Sequence, residues 1–472
     1  MRVAADMLLS SLPSPWEEEL LPQIQAQVAA SGTKVIVLDD DPTGTQTVHG
    51  VTVLMDWSIA TLVQALSDPE PVVYLLTNSR SMPLTRAQAI NRDIAGALRA
   101  AHAAAGREFV IVSRSDSTLR GHYPGEVETL LSELDMPIDG ILIIPFFLEG
   151  GRLTIADTHY VREGPMLIPA AETEYARDPT FGYRHSDLRA WVAEKHKGRV
   201  AAADVLSISL EDLRQGGPAV VEAKLKQMRQ GQIGVVNAAS YRDLEVFTAG
   251  LLGAEARGKR FLYRTAASFV RVRGGIAPQA LLSAAELGSS ERSGLVIVGS
   301  HVRKSTEQLE MARSLPDVGG VELPVELLLN EESRMAIIRA SAEQLDEHLA
   351  AGRHALLYTS RERVVRSEGR TALQIGQSIS EALAEVVTRL QGHPAWVIAK
   401  GGITSSDIAT KGLGMRRAQV LGQAIAGIPI WRTGAESRWP GMTYVVFPGN
   451  VGEPNALARM IGLLSGEAGA HL

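Results

Sequence analysis

Three consecutive carboxylates, Asp39-Asp40-Asp41, follow directly on the aliphatic run VIVL and precede the turn-forming Pro42-Thr43-Gly44-Thr45. Aspartate is common at strand ends, in turns and at helix caps, which accounts for one such residue more readily than for three. Carboxylates this close repel, so the pKa of one should rise unless cations or donors compensate. Two further aliphatic runs end in the opposite charge. YLLTNSRS places Arg80 after one, and FVIVSRSDSTLRG places Arg114, Asp116, Ser117 and Arg120 after another. An isolated arginine in such a place is ordinarily half of a surface ion pair. Arginine also holds a carboxylate by two parallel hydrogen bonds, and aspartate accepts from a hydroxyl or removes its proton. The combination suits a small ligand with a carboxylate and several hydroxyls, a sugar acid. Asp40, Asp41 and Asp116 are the candidate bases. Asp40, Arg80, Arg114, Asp116, Ser117 and Arg120 are the candidate substrate contacts. The sequence alone does not say which aspartate is the base or whether any holds a metal.

A second group of residues suits phosphate. Backbone N–H groups aimed inward where a strand passes into a helix bind such anions. In WVIAKGGITSSDIATKG the run 396–399 meets Lys400-Gly401-Gly402, and Thr404, Ser405 or Ser406 can cap the helix that follows. VIVGSHVRKST offers Gly299 and Ser300, LLYTSRE offers Thr359 and Ser360, and VVFPGNVGEPNAL offers Gly449, Asn450 and Gly452. One glycine turn is weak evidence; four strand-end turns in one region point to a nucleotide. Gly253 to Lys259 has P-loop spacing, but Arg260 stands where a Ser or Thr would hold Mg2+, and a strand follows instead of preceding it. It is read as a helix end. No histidine spacing such as HExxH occurs. His49 and His122 lie near the substrate candidates and read as ordinary polar histidines.

These residues need strands that end together. TKVIVLD, GVTVLM, PVVYLLT, REFVIVS and DGILIIP alternate with helix-like stretches such as LTRAQAINRDIAGALRAAHAA and YPGEVETLLSEL. Near-continuous aliphatic strands separated by helices indicate parallel sheets covered on both faces. Residues 149–190, rich in Gly, Pro and aromatics, read as long loops with short helices. Alternation returns with ADVLSIS, GQIGVVNAA and KRFLYRTAA, and a second set begins near residue 294. Residues 276–293 are the linker candidate. The expected architecture is α/β, two α/β domains with largely parallel sheets facing a central cleft. Residues 1–32 would form an N-terminal helical extension, 33–285 a sugar-acid-binding domain and 286–472 a nucleotide-binding domain.

Composition narrows the classes. The chain has 472 residues, is 45% hydrophobic and 21% charged, and has a net charge of −6, so nucleic acid is not expected as a partner. No apolar run reaches the roughly 18 residues of a spanning helix, and the start, MRVAADMLLSSLPSPWEEELL, does not read as a secretory signal. There is no cysteine, which excludes disulfides and thiolate chemistry. A cytoplasmic protein with small-molecule partners is expected; a homo-oligomer is left open.

The order Asp-Asp-x-Thr-Gly, Asp-Ser-Thr-Leu-Arg-Gly, Gly-Gly followed by Thr or Ser, and Gly-Asn-x-Gly resembles the four-carbon acid sugar kinases from about Thr33 onward. The resemblance implies ATP with Mg2+ and phosphorylation of threonate, erythronate or 3-oxo-tetronate at its terminal hydroxyl. It implies substrate contacts at Asp40, Asp41, Arg80, Arg114 to Ser117 and Arg120. It implies nucleotide contacts at Ser300, Thr359, Ser360, Gly401, Gly402, Thr404, Gly449, Asn450 and Gly452. This chain departs from the family pattern in four places. Lys400 stands for a small or hydroxyl residue, Phe447-Pro448 for Lys-Ser, Asp39 for Ala, and Pro42 for an apolar residue. Lys400 is therefore added to the nucleotide set, as a charge that replaces the one missing at Phe447. The alternatives are a Mg2+-dependent sugar-acid aldolase or dehydratase, and a sensor that binds a sugar acid without turnover.

Overall fold

The computed structural model describes residues 2–288, 292–361 and 372–466. The chain divides into two units, Met1–Val51 with Asp56–Pro278, and Thr52–Met55 with Gln279–Leu472. Residues 289–291 of the linker candidate lie outside the described residues.

In the first unit, seven strands pair in parallel among the described residues. Their spatial order is Leu206–Ile208, Gln232–Val236, Gly140–Ile144, Phe261–Thr265, Phe109–Arg114, Lys34–Asp39 and Val72–Leu76. Lys34–Asp39 and Val72–Leu76 are buried at every position, as their unbroken aliphatic character requires for a sheet covered on both faces. The helices show the complementary pattern. Leu84–Ala105 buries Ala87, Ile90, Ile94, Leu98 and Ala101 along one stripe and stops at Gly106, whose φ of 67° ends the helix in the left-handed conformation. From Lys34–Asp39 the chain moves to Val72–Leu76 on one side. From Phe109–Arg114 it moves to Gly140–Ile144 on the other. The boundary between these two adjacent strands is thus a topological switch point, beyond whose carboxyl end ligands bind in open α/β sheets.

Residues 149–190 differ from the loop reading. Arg152–Ile155, Thr158–Glu163 and Met166–Pro169 form an antiparallel sheet, joined at its edge by Val3–Ala4. The first hairpin turns on Ala156 and Asp157, with φ of 48° and 59°, a conformation usually signalled by Asn-Gly. Bonds from outside the hairpin hold it instead. Asn237 Nδ2 and Ser207 Oγ donate to Asp157 Oδ1 at 2.7 and 2.6 Å, and Asp157 N donates to Asn237 Oδ1 at 2.8 Å. The N-terminal extension is helical at Ala5–Ser10 and Leu21–Ser31, but it also supplies the edge strand Val3–Ala4.

In the second unit, Thr443–Phe447, Trp396–Lys400, Leu295–Val298, His354–Thr359 and Val318–Leu323 are parallel neighbours in that order. The sheet continues past Thr443–Phe447 through antiparallel Ile428–Thr433 and Arg417–Ile425 to Thr52–Leu54. The GVTVLM run, read above with the first domain, therefore belongs to this sheet. The switch point here lies between Leu295–Val298 and Trp396–Lys400, whose onward connections run in opposite directions. Gly253 closes no phosphate loop: it lies in helix Tyr241–Ala256, which ends before Gly258. Among the described residues no helix is long and apolar enough to cross a membrane.

Candidate active site

Parallel register aligns the strand ends. Asp39 is opposite Arg114 and Leu76, and Arg114 is opposite Thr265. The aspartate stretch and the two arginine-bearing turns consequently meet at the first unit's switch point. Asp39 accepts from Arg114 Nη1 at 2.9 Å. Burial, opposed by Arg114 and reinforced by the charges of Asp40 and Asp41, pushes the Asp39 carboxyl up to about 7. Asp41 caps the 3-10 turn Pro42–Thr45, accepting from Thr43 N at 2.9 Å and Thr43 Oγ1 at 2.6 Å, and it pairs with Arg80. Burial raises its pKa, but Arg80 and the Thr43 bonds outweigh that and hold it below the usual range. Asp116 accepts from Arg120 Nε at 2.8 Å and Nη2 at 3.2 Å, lies 3.4 Å from Arg80 Nη1 and accepts from Thr118 N at 3.2 Å. Burial again acts upward, and Arg120 and Arg80 overcome it, keeping this carboxyl far down.

Asp40 differs from its neighbours. It is 3% exposed. Its Oδ2 accepts from Ser115 Oγ, while its Oδ1 is buried with no hydrogen-bond partner among the described residues. Arg80 and Arg114 approach that oxygen only to 3.8 and 4.0 Å. Ser117 enters through its backbone, its carbonyl accepting from His159 Nε2 at 2.8 Å. That bond fixes the tautomer, leaving Nδ1 to accept from Thr154 Oγ1 at 3.0 Å. Burial lowers the His159 pKa to about 4, so the ring is neutral. His122 and His49 bond backbone carbonyls, of Met82 at 2.8 Å and Ala277 at 2.9 Å.

Two charged residues of this cluster were missed by the sequence reading. Glu126, in helix Gly125–Leu134, accepts from Ser79 Oγ at 2.5 Å and Asn91 Nδ2 at 3.2 Å. Arg264, one residue before the end of Phe261–Thr265, is 6% exposed. Its Nη2 donates to the Arg120 carbonyl at 3.2 Å, and its Nη1 has no partner among the described residues. Burial lowers its pKa, with Asp40, Glu126 and Asp116 acting in the other direction. A charged residue one step from the end of a buried parallel strand is the signal that could have found it.

The second unit gathers Ser300, Gly401, Thr404 and Gly449. Gly401 has a φ of 115°, and a side chain there would lie 3.2 Å from Ser300 Cβ and 3.2 Å from Thr404 Oγ1. A side chain at Gly449 would lie 2.7 Å from Ser300 Oγ. Ser305 Oγ ties the turns together, lying 3.0 Å from Ser300 Oγ, with which it shares a hydrogen bond, and donating to the Gly449 carbonyl at 2.8 Å. Thr359 Oγ1 bonds His301 Nε2 at 3.3 Å, whereas Ser360 Oγ accepts from Val325 N at 3.1 Å, an internal role. Gly452 has a φ of 87°, and Asn450 is exposed. Helix Gly402–Asp407 begins after Gly401 with no side-chain cap, so Thr404, Ser405 and Ser406 lie within it and do not cap it; Ser405 Oγ turns back to the Ala399 carbonyl at 2.7 Å.

Lys400 is fully buried. Its Nζ donates to the Pro448 carbonyl at 3.1 Å and lies 4.0 Å from the centre of the Phe447 ring. It therefore points beneath the Gly449 turn and not away from it. Burial, with a smaller contribution from Lys304, lowers its pKa to about 7.

Residues 35–273 match the sugar-binding N-terminal domain family and residues 295–457 the nucleotide-binding C-terminal domain family. A Salmonella typhimurium LT2 protein described provisionally as a tRNA synthase superposes with a TM-score of 0.66 at 17% identity, covering 90% of this chain and 98% of its own. A Haemophilus influenzae protein of a family defined without a function superposes at 0.59 and 18% identity, covering 92% and 99%. At these identities the likeness carries the fold alone. No curated protein matches the chain. The two domain matches, in this order and together spanning most of the sequence, are the architecture of the four-carbon acid sugar kinases, and the chain belongs to that family.

Proposed function

We propose that this protein transfers the terminal phosphoryl group of ATP to a hydroxyl of a four-carbon sugar acid such as threonate, erythronate or 3-oxo-tetronate. The observation that carries the reading is the state of Asp40, a carboxylate at a sheet's switch point with one oxygen anchored by Ser115 and the other left without a donor. A buried acceptor in that state costs stability unless a ligand supplies the donor, and a sugar hydroxyl is such a donor. Asp41 and Asp116, bonded to Arg80 and Arg120, are poorer proton acceptors because those bonds favour the ionised form. Asp40 is thus assigned to receive the hydroxyl proton, with Asp41 and Asp116 fixing the arginines around it.

The turns of the second unit suit a triphosphate. Gly401 and Gly449 leave backbone where a side chain would strike Ser300, and Ser300 and Thr404 bring hydroxyls to the same place. ATP with Mg2+ would supply the electrophilic phosphoryl group, its phosphates held by the turns of Ser300, Gly401, Thr404 and Gly449, and the protein's part is chiefly positioning and charge. The aldolase or dehydratase reading asks the aspartates to hold Mg2+; Asp39, Asp41 and Asp116 instead pair with arginines. Coupled ADP release across the four-carbon aldonates of both hands tests the proposal. ADP release that requires one of these acids is expected. A protein that ATP neither stabilises against heat nor loses to hydrolysis with any of them would overturn it.

A further inference from the structure

Three of the four arginines at the sugar-acid site are already matched to carboxylates. Arg114 is bonded to Asp39 at 2.9 Å, Arg80 is paired with Asp41 and lies 3.4 Å from Asp116, and Arg120 grips Asp116 through two bonds of 2.8 and 3.2 Å. A guanidinium so paired already has a counter-charge, for which a ligand carboxylate would have to compete, although Arg114 keeps a buried Nε without a hydrogen bond. Arg264 has no carboxylate within ion-pair distance among the described residues, its Nη1 has no hydrogen bond, and it is 6% exposed. Leaving a buried cation without a counter-charge is strongly unfavourable; Arg264 is held by one backbone carbonyl with Nη1 free, in the same cluster where Asp40 Oδ1 has no hydrogen-bond donor and only the 3.8 and 4.0 Å approaches of Arg80 and Arg114.

Gly121 explains how the two groups come together. Its φ is 115°, and a side chain there would stand 2.5 Å from Ser115 Oγ, 2.8 Å from Arg264 Nη2 and 3.2 Å from Asp40 Oδ2. Only a residue without a side chain lets Arg264 and the Asp40–Ser115 pair close on this point. The glycine of the DSTLRG stretch thereby acquires a physical role.

We propose that Arg264 receives the carboxylate of the sugar acid and that Asp40 Oδ1 receives a hydroxyl of the same molecule. The assignment rests on the sugar-acid reading above and gives the ligand's charge to Arg264, leaving Arg80 and Arg114 to the aspartates they pair. It orients the acid with its charged end toward Phe261–Thr265 and a hydroxyl toward Lys34–Asp39.

Calorimetric titration without nucleotide tests it, using the threonates and erythronates of both hands, with threitol and erythritol as uncharged counterparts. The wild-type protein is expected to prefer an acid over its tetritol by about ten- to hundredfold, the value of a charged hydrogen bond. Arg264→Gln is expected to abolish that preference. Arg264→Lys, which keeps the charge but loses the fork, decides the matter if the glutamine variant does not fold; an approximately tenfold weaker acid affinity is expected. Undiminished preference in either variant, or no acid binding by the wild type, overturns the inference. Acid binding that depends on Arg264 without ADP release would sustain it and remove the kinase reading; ADP release with preference intact in the variants would do the reverse.

Discussion

Arg114 and Asp39 close the last register of two adjacent parallel strands, with Arg114 Nη1 donating to Asp39 Oδ1 at 2.9 Å. This pair sits on the boundary at which the first unit's connections change direction. Asp39 places an acid that is 2% exposed at this boundary. A side chain at Gly44 would fall on the Asp39 carboxylate.

That contact predicts a coupled pair of substitutions. Gly44→Ala should destabilise the protein by about 1–3 kcal/mol, the usual range for overpacking. In an Asp39→Ala background the same change should cost little, because the obstructing carboxylate is gone. Urea denaturation of the four proteins gives the coupling directly; additive effects would show that Gly44 is set by something other than Asp39.

Asp39 also imposes a pH dependence of known sign. Its pKa rises from 3.8 to about 7 on folding, so between those values the folded state keeps a proton that the unfolded state has released. Stability from this group is complete below about pH 4 and is lost as pH rises toward 7. Relative to Asp39→Asn, which lacks the titration, the wild type should therefore lose stability steadily across that window and level off above it. Urea midpoints of both proteins at a series of pH values provide the measurement, and a constant difference would contradict it.

How much of this was written in the sequence depends on the range of the interaction. Asp39 to Asp41, Arg80, Arg114, Asp116 and Arg120 were legible because each follows an aliphatic run, and parallel register carries such ends to one edge of the sheet. Strand order is not a local property, so neither switch point could be read, nor could the passage of Thr52–Leu54 into the second sheet. Arg264 was hidden inside FLYRT because its neighbours read as strand and its charge as incidental. The hairpin at Ala156-Asp157 lacked turn chemistry of its own, since Asn237 and Ser207, far along the chain, supply its bonds. Lys400 was legible as an oddity beside Phe447-Pro448, but its burial against that ring was not.

The aspartates of the cluster should separate in kinetics. Asp40→Asn keeps the shape and removes the acceptor charge, so turnover should fall by about 10²–10⁴-fold, the usual contribution of general acid–base catalysis. Stabilisation by ATP should be unchanged. Asp116→Asn instead loosens Arg120 and Arg80, which it holds ionised and in place, and should act mainly on the KM for the acid. Steady-state kinetics with thermal shifts on both variants distinguishes these roles. Full turnover in Asp40→Asn would deny Asp40 the base.

Lys400 yields the last prediction, with two readouts of opposite consequence. Its amine is fully buried with one carbonyl and one ring for company, and its pKa falls from 10.5 to about 7. Between those values the unfolded chain binds the proton and the folded one does not, so stability from this group increases with pH across the window. Lys400→Met should accordingly raise the melting temperature most at or below pH 7, with the advantage shrinking toward pH 10. A phosphate at the Gly449 turn favours the ammonium, however, so nucleotide binding should draw a proton from solution near and above pH 7 and weaken as pH rises. Titration calorimetry in two buffers of different ionisation enthalpy reads that uptake, and Lys400→Met should lose it while gaining stability. If the variant is stabilised but proton uptake is unaltered, Lys400 supports the turn without sensing the phosphate.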